Sequence, residues 1–462
     1  MKSILKNVSY TIFSNLINFF LAAVITFFAP KLLGFEEYGY FQLYLLYSSY
    51  VGFLHFGWAD GVFLRYGGKY YNELEKKKFS AQFWLNFLFE LVIGLIIFFI
   101  IAGMLHQYEK SMVLRYVGIA VVLGLPCTFL QYILQATNRM KEYAISLVFG
   151  RIIYAICVCV SLLFGNRSFS PIIISDLIGK AVTLVIAIFF CRDILKTRPE
   201  PINISIKEAA TNIKVGSALV IANIASTLII GIVQLAIENQ WDISTFGKIS
   251  LTISLSNLLM VLIRAIALVI FPMLRRTPIE KLTSIYDTMR TCLMVPLLGM
   301  LMFYYPVREV MSKWLPQYAE SLKYMALLFP ICVFESKTSM LIETYTKALR
   351  KEKWLLYGNI VTVCLSAIFT GTTVYFLHNL DFAVVSITLL LAFRGVFLEM
   401  KLSKILAIDV KKDIIYELLM TAIFMSSGWF LGGINGIIIY LLSYLLYLFL
   451  KRKEIGRILK HR

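Results

Sequence analysis

Five basic side chains fall inside stretches that are otherwise apolar: Arg151, Lys180, Arg264, Lys337 and Arg394. A sixth, Arg65, closes the segment FGWADGVFLRYGG at residues 56–68. Asp60, Glu90, Asp176, Glu335 and Glu343 are acids in the same kind of setting. A charge at the centre of a bilayer costs about 2.5–3.5 kcal/mol or more, so such side chains face a bundle interior or a wet cavity. A guanidinium placed there offers a planar fork of donors suited to phosphate oxygens. Arg264 lies midway along SNLLMVLIRAIALVIFPML, with nothing on its face within one helical turn to pair with. It is the first candidate for a phosphate contact, and a structural ion pair on another helix or snorkelling is the alternative. Lys337, Arg394 and Arg151 are further candidates. Arg65 either captures a headgroup at the membrane surface or acts as an ordinary basic anchor.

Spacing sorts some of these charges. Asp176 and Lys180 are four apart on one helical face and can neutralise each other, as can Glu343 and Lys347. Asp60 and Arg65 are five apart and turn away from each other, so Asp60 is expected to meet a cation in the other half of the chain. Binding of a proton or a sodium ion by Asp60 is a second role. Glu335 and Lys337 point in different directions and are expected to find partners elsewhere, while Glu90 is an acid in the third apolar stretch. Bases and acids are nearly balanced in number, so a strongly cationic cavity does not follow from the counts. Tyr40, Tyr44, Tyr47 and Tyr50 form one stripe, of which Tyr44 and Tyr47 are candidates for sugar contact, with helix packing as the alternative. Thr11, Asn15 and Asn18 share a face that bonds neighbouring helices or lines a polar lumen.

Catalytic sets are missing from the sequence. It has no HExxH, no GxxxxGK[ST] and no nucleophile elbow, which argues against an enzyme. His55, His106, His378 and His461 are scattered, and the seven cysteines lie mostly in apolar segments. Neither a metal site nor a cofactor is indicated.

The elements that carry these residues are long apolar runs. The chain has 462 residues, 59% hydrophobic and 16% charged, too little charge for the surface of a soluble protein of this size. Runs of about 18–25 apolar residues match the length needed to cross a hydrocarbon layer as helices. Strand-like alternation is absent, which excludes a β-barrel. About fourteen spans are predicted, near 8–29, 39–63, 80–104, 112–136, 143–164, 171–190, 215–237, 246–273, 287–307, 322–346, 354–377, 381–400, 414–431 and 434–450. The first is a retained span rather than a cleaved leader. The polar stretch 191–214 separates two six-helix bundles. The expected organisation is 1–200, 201–410, an extra hairpin at 411–450 and a basic tail at 451–462.

The net charge of +18 reads as topology rather than nucleic-acid binding. With the N-terminus cytoplasmic, 32 Lys and Arg fall on cytoplasmic segments and 8 on the opposite loops, the bias that orients membrane helices. Both termini are then cytoplasmic. YGYFQL (38–43) and FGKISL (246–251) open the second and eighth spans alike, and six spans per block give a parallel repeat with a cavity between the blocks.

The stretch FAPKLLGFEEYGYFQ (28–42) resembles the start of the polysaccharide (O-antigen and capsule) flippases of the MOP superfamily, the multidrug/oligosaccharidyl-lipid/polysaccharide exporters. Lys31, Leu33-Gly34, Glu36-Glu37 and Tyr38-Gly39 carry the likeness, and FGWADGVFLRYGG matches the Gly-rich, Arg-closed end of that family's second span. Pro30-Lys31 stands where the family usually has an arginine. The resemblance implies a MATE-like fold of two six-helix bundles with an added C-terminal helix pair. It also implies a transporter of the bacterial inner membrane that flips oligosaccharides linked to polyprenyl pyrophosphate, by alternating access, for O-antigen, lipopolysaccharide or capsule synthesis. Its partners would be that lipid-linked oligosaccharide, membrane lipid and other polysaccharide assembly proteins. Arg264 and the other candidate bases would then meet the pyrophosphate. A cation-coupled multidrug exporter, a lipid II flippase and a membrane polymerase or transferase are the alternatives. The exporter wants an acid-dominated cavity, and the polymerase wants a large external loop that this chain lacks.

Overall fold

The computed structural model describes residues 2–275, 279–349 and 351–460, with side chains outside the description at 2–15, 18, 259, 261–275, 279–284, 352 and 457–460. Apolar composition forces the architecture. Backbone N–H and C=O groups in hydrocarbon must be satisfied within the segment, and a helix does this alone. Accordingly the described residues contain helices and no strand.

In chain order the α-helices are α1 Lys2–Leu32, α2 Phe35–Val51, α3 Trp58–Tyr66, α4 Lys76–Leu95, α5 Tyr108–Ala136, α6 Met140–Leu163, α7 Phe169–Phe190 and α8 Arg192–Leu195. Next come α9 Ile202–Gln240, α10 Ile243–Arg275, α11 Ile279–Met300, α12 Tyr304–Trp314, α13 Met325–Leu328, α14 Ile331–Ser336, α15 Glu343–Ala348, α16 Glu352–Thr370, α17 Leu380–Leu406, α18 Lys411–Ser426 and α19 Gly433–Lys460. Wider π turns interrupt several of them, at Ile96–Ile101, Lys337–Ile342, Gly371–Phe376 and Ser427–Leu431. Eleven described helical stretches are long and apolar enough to cross a membrane. They coincide with the third to seventh and ninth to fourteenth predicted spans. The protein is a multi-pass helical membrane protein.

The second predicted span, 39–63, is not one helix. It breaks between α2 and α3, where Phe56 (φ 50°) and Gly57 (φ 89°) take left-handed conformations. The Gly57 N–H donates to His55 Nδ1 at 3.0 Å, holding the turn. Glycine is required at this position twice over. It tolerates the positive φ, and a Cβ there would come within 2.5 Å of the Gly216 carbonyl carbon.

The chain divides into two compact units, residues 1–224 and 225–462, with the boundary inside α9. The core of the first unit includes Phe79, Phe83, Phe129, Leu130 and Leu134 of α4 and α5, with Leu184 and Ala187 of α7. In the second unit Tyr286, Leu341, Tyr345 and Leu402 pack at one end of α11, α15 and α17.

Candidate functional site

In the first unit α6 and α7 touch through paired glycines. A Cβ on Gly150 would lie 2.7 Å from the Gly179 carbonyl oxygen, and one on Gly179 would lie 2.8 Å from that of Gly150. Small residues let membrane helices approach at backbone distance. The next residue on each helix is a cation, Arg151 after Gly150 and Lys180 after Gly179. The glycine contact therefore sets the two bases beside each other.

Between them sits Asp176, one turn before Lys180 on α7. Lys180 Nζ donates to Asp176 Oδ2, and also to Tyr44 Oη at 2.9 Å. Tyr44 Oη in turn donates to Asp176 Oδ2 at 2.6 Å. Arg151 Nη1 is farther off, 3.8 Å from Asp176 Oδ1. The Asp176 side chain is 9% exposed, Lys180 30% and Arg151 50%. One buried acid thus faces two partly exposed bases, and the Arg151 fork keeps most of its donors unused.

These groups line a cavity of about 260 Å³ between α2, α5, α6 and α7. Ser48, Gln131 and Thr183 add polar groups to it, and the buried Tyr154 closes one side. Its wall carries two cations and one anion, so it favours a negatively charged guest with hydrogen-bonding groups. Desolvation by the surrounding helices strengthens that preference relative to water.

Sequence spacing paired Asp176 with Lys180, and that pair is present. What it missed is the convergence of Arg151 and Tyr44 on the same acid, which depends on helix rotation. The signal was in the sequence as Gly-Arg and Gly-Lys on consecutive spans. Tyr44, expected to touch sugar, is fully buried. Its ring has no free face, and its hydroxyl instead fixes Asp176. Tyr47 is half-buried on α2. Arg264, Asn15 and Asn18 lie on α10 and α1, with side chains outside the described residues.

Arg65 and Asp60 stand apart from this cavity. Arg65 Nη1 donates to Glu208 Oε1 at 2.8 Å and to Asn212 Oδ1 at 2.5 Å, fastening α3 to the first turns of α9. Gly61 makes the approach possible, since a Cβ there would sit 1.9 Å from the Asn212 carbonyl oxygen. Asp60, expected to meet a cation in the other half of the chain, instead lies 3.5 Å from His55 Nε2 in the preceding turn. Because His55 Nδ1 accepts from Gly57, its Nε2 is the protonated nitrogen and faces the carboxylate. Glu90 is fully buried on α4. Among the described residues neither of its oxygens has a hydrogen-bond partner, nor has the side chain of Asn86 one turn earlier.

In the second unit the expected bases are taken up by acids. Lys337 is completely buried and bonds Glu399 Oε2 at 2.8 Å and Glu417 Oε2 at 2.7 Å. Arg290 donates to Glu399 Oε1 at 2.7 Å and to Asp413 Oδ2 at 2.8 Å, and forms an ion pair with Glu417 Oε1 at 2.5 Å. Lys451 closes the set against Asp413 and Glu454. This network joins α11, α17, α18 and α19, so it ties the C-terminal helix pair to its unit. As a phosphate contact Lys337 is corrected, because its ammonium is enclosed and doubly paired. Glu399 and Glu417 were overlooked because each lies near the end of a predicted span, where a charge passes for part of a loop. Glu335 does find a partner elsewhere, Arg394, which also donates to Ser226 Oγ at 2.9 Å. Arg394 is 1% exposed at its side chain, which makes it a helix tie between α9, α14 and α17. Among the described residues no cluster of three or more His, Cys, Asp or Glu is placed to hold a metal ion.

Residues 4–278 match the polysaccharide biosynthesis protein family. No curated protein matches the sequence. Among solved structures, the lipid II flippase MurJ in an inward closed conformation is similar, with a TM-score of 0.70 at 13% identity, over 98% of this chain and 100% of that one. An inward-facing multidrug resistance MATE family transporter of the MOP superfamily gives a TM-score of 0.57 at 12% identity, over 89% and 95% of the two chains. A MATE protein in complex with MaL6 gives 0.54 at 13% identity, over 87% and 96%. At these identities the likenesses establish the fold. With more than half of its length matched, the chain belongs to the polysaccharide biosynthesis protein family, and its fold is that of the MOP-superfamily transporters.

Proposed function

We propose that the protein flips an oligosaccharide linked to polyprenyl pyrophosphate from the inner to the outer leaflet of the bacterial cytoplasmic membrane, by alternating access. The observation that carries this reading is the cavity of the first unit, where Arg151 and Lys180 outnumber Asp176. A pyrophosphate is the part of such a substrate that needs cations. Ser48, Gln131 and Thr183 supply hydrogen-bonding groups that suit the first sugars. Arg264 remains a second phosphate contact in this reading. In this reading both termini face the cytoplasm, which the Lys and Arg distribution supports. O-antigen, capsule or another exopolysaccharide unit is the substrate, and other polysaccharide assembly proteins are its partners in the cell.

A lipid II-type substrate is the second reading. It shares the lipid pyrophosphate and saccharide chemistry, and the lipid II flippase MurJ is among the proteins with this fold. A multidrug exporter of cations is disfavoured by the excess of positive charge in the cavity. The test is deletion of the gene followed by analysis of lipid-linked glycans. Accumulation of an undelivered oligosaccharide lipid on the cytoplasmic face supports the first reading, and accumulation of lipid II supports the second. Changed drug sensitivity with normal glycan lipids overturns both.

A further inference from the structure

A second cavity, about 610 Å³, lies at the end of the first unit where α5 and α7 finish. It is lined by Tyr70, Tyr71, Arg139, Phe189, Arg192 and Asp193, among others. None of these residues takes part in the cavity around Asp176.

The charges here are set so that one base is left over. Asp193 accepts from Tyr71 Oη at 2.7 Å and pairs with Lys76 Nζ at 3.0 Å. Burial opposes its ionisation, but the bonds from Tyr71 and Lys76 prevail and hold its carboxyl below the usual range. It is therefore an acid already satisfied. Arg139 is partly used: Nε donates to Glu142 and Nη1 to the Phe190 carbonyl oxygen, both at 3.1 Å. Its guanidinium lies 4.4 Å over the Tyr71 ring. Arg192 sits 5.0 Å over the Phe189 ring. Among the described residues it has no carboxylate partner, and it is exposed.

Two aromatic rings of the lining face outward. Tyr70 is 74% exposed and Phe189 58% exposed, next to the ends of α5 and α7. Aromatic rings with a polar edge concentrate where hydrocarbon meets headgroups. A soluble anion would gain nothing from those rings, whereas the first carbons of an acyl chain would cover Phe189. The geometry points to a site for the phosphodiester headgroup of an anionic phospholipid, with the phosphate on Arg192 and Arg139 and the lipid body against Phe189 and Tyr70. The bound lipid would cover the segment after α3 and the ends of α5 and α7.

The test uses the purified full-length protein in detergent, titrated separately with short-chain phosphatidylglycerol, phosphatidylcholine of the same chain length, and inorganic phosphate. Binding is read by native mass spectrometry. Phosphatidylglycerol should bind about tenfold more tightly than phosphatidylcholine, because the choline cation sets a like charge against Arg192 and Arg139 that glycerol lacks. Arg192→Glu should abolish that preference, and Phe189→Ala should weaken both lipids together. Equal binding of the two lipids, or an unchanged preference in Arg192→Glu, overturns the site. Competition by inorganic phosphate as strong as that of phosphatidylglycerol overturns the assignment to a lipid.

Discussion

Tyr44 Oη donates to Asp176 Oδ2 at 2.6 Å across 132 residues of sequence, from a position where its ring is fully buried. The phenol keeps Asp176 turned toward Lys180 and within 3.8 Å of Arg151. In the proposed transport cycle Asp176 stands in the place of a substrate phosphate, holding the two cations until one arrives. That role sets the first expectation. Asp176→Asn removes the competing charge, so the affinity for a short-chain polyprenyl pyrophosphate should rise by about an order of magnitude while turnover falls. Titration by intrinsic fluorescence checks it, and weaker binding in the variant would show that Asp176 supports the site instead.

The α6–α7 glycine contact should be indispensable to the cavity. Gly179→Val places side-chain atoms against the Gly150 carbonyl oxygen and Tyr154, so transport should be lost even where membrane abundance is kept. Gly124→Ala is the matched control on the cavity wall, since a Cβ there meets nothing within 4 Å. Transport assays on the two variants at equal abundance decide the point.

The buried network of the second unit should matter to stability. Lys337→Met leaves Glu399 and Glu417 without one of their two cations, a loss of about 3–5 kcal/mol for a buried pair. Thermal unfolding in detergent should show a clear fall in midpoint, partly restored by adding Glu417→Gln. A variant as stable as the parent would mean that the network does not hold α17 and α18 in place.

Glu90 should behave in the opposite way. It pairs with no cation among the described residues and has Asn86 one turn earlier as its polar neighbour, so Glu90→Gln breaks no ion pair and removes an ionisable group from the interior. Stability should stay level or rise. A drop of more than about 1 kcal/mol would require a charged partner for the native acid.

Much of the fold was written in apolar run lengths and loop charges, because a lipid solvent forces helices and ties their length to its thickness. The break after Val51 was less visible. FGWADG contains the turn glycine, Gly57, but apolar composition continues across it and masks the change of direction. For the site, spacing along one helix found Asp176 with Lys180, and it stopped there. Arg151 and Tyr44 join that pair from other helices, and no period along a single span reports how two spans are rotated. Lys337 and Arg394 were recognised as costly intramembrane charges, yet their partners Glu399, Glu417 and Glu335 make them ties rather than ligands.

The central claim is that the cations beside Asp176 grip a lipid pyrophosphate during transport. Its most direct measurement is reconstitution of the full-length protein in vesicles with a fluorescent lipid-pyrophosphate-linked saccharide, comparing the parent with Arg151→Ala/Lys180→Ala. The account predicts that the parent moves the probe between leaflets and that the double variant, equally abundant and folded, does so at least a hundredfold more slowly, as expected when two charge-assisted contacts are removed. Equal rates for the two proteins would contradict it.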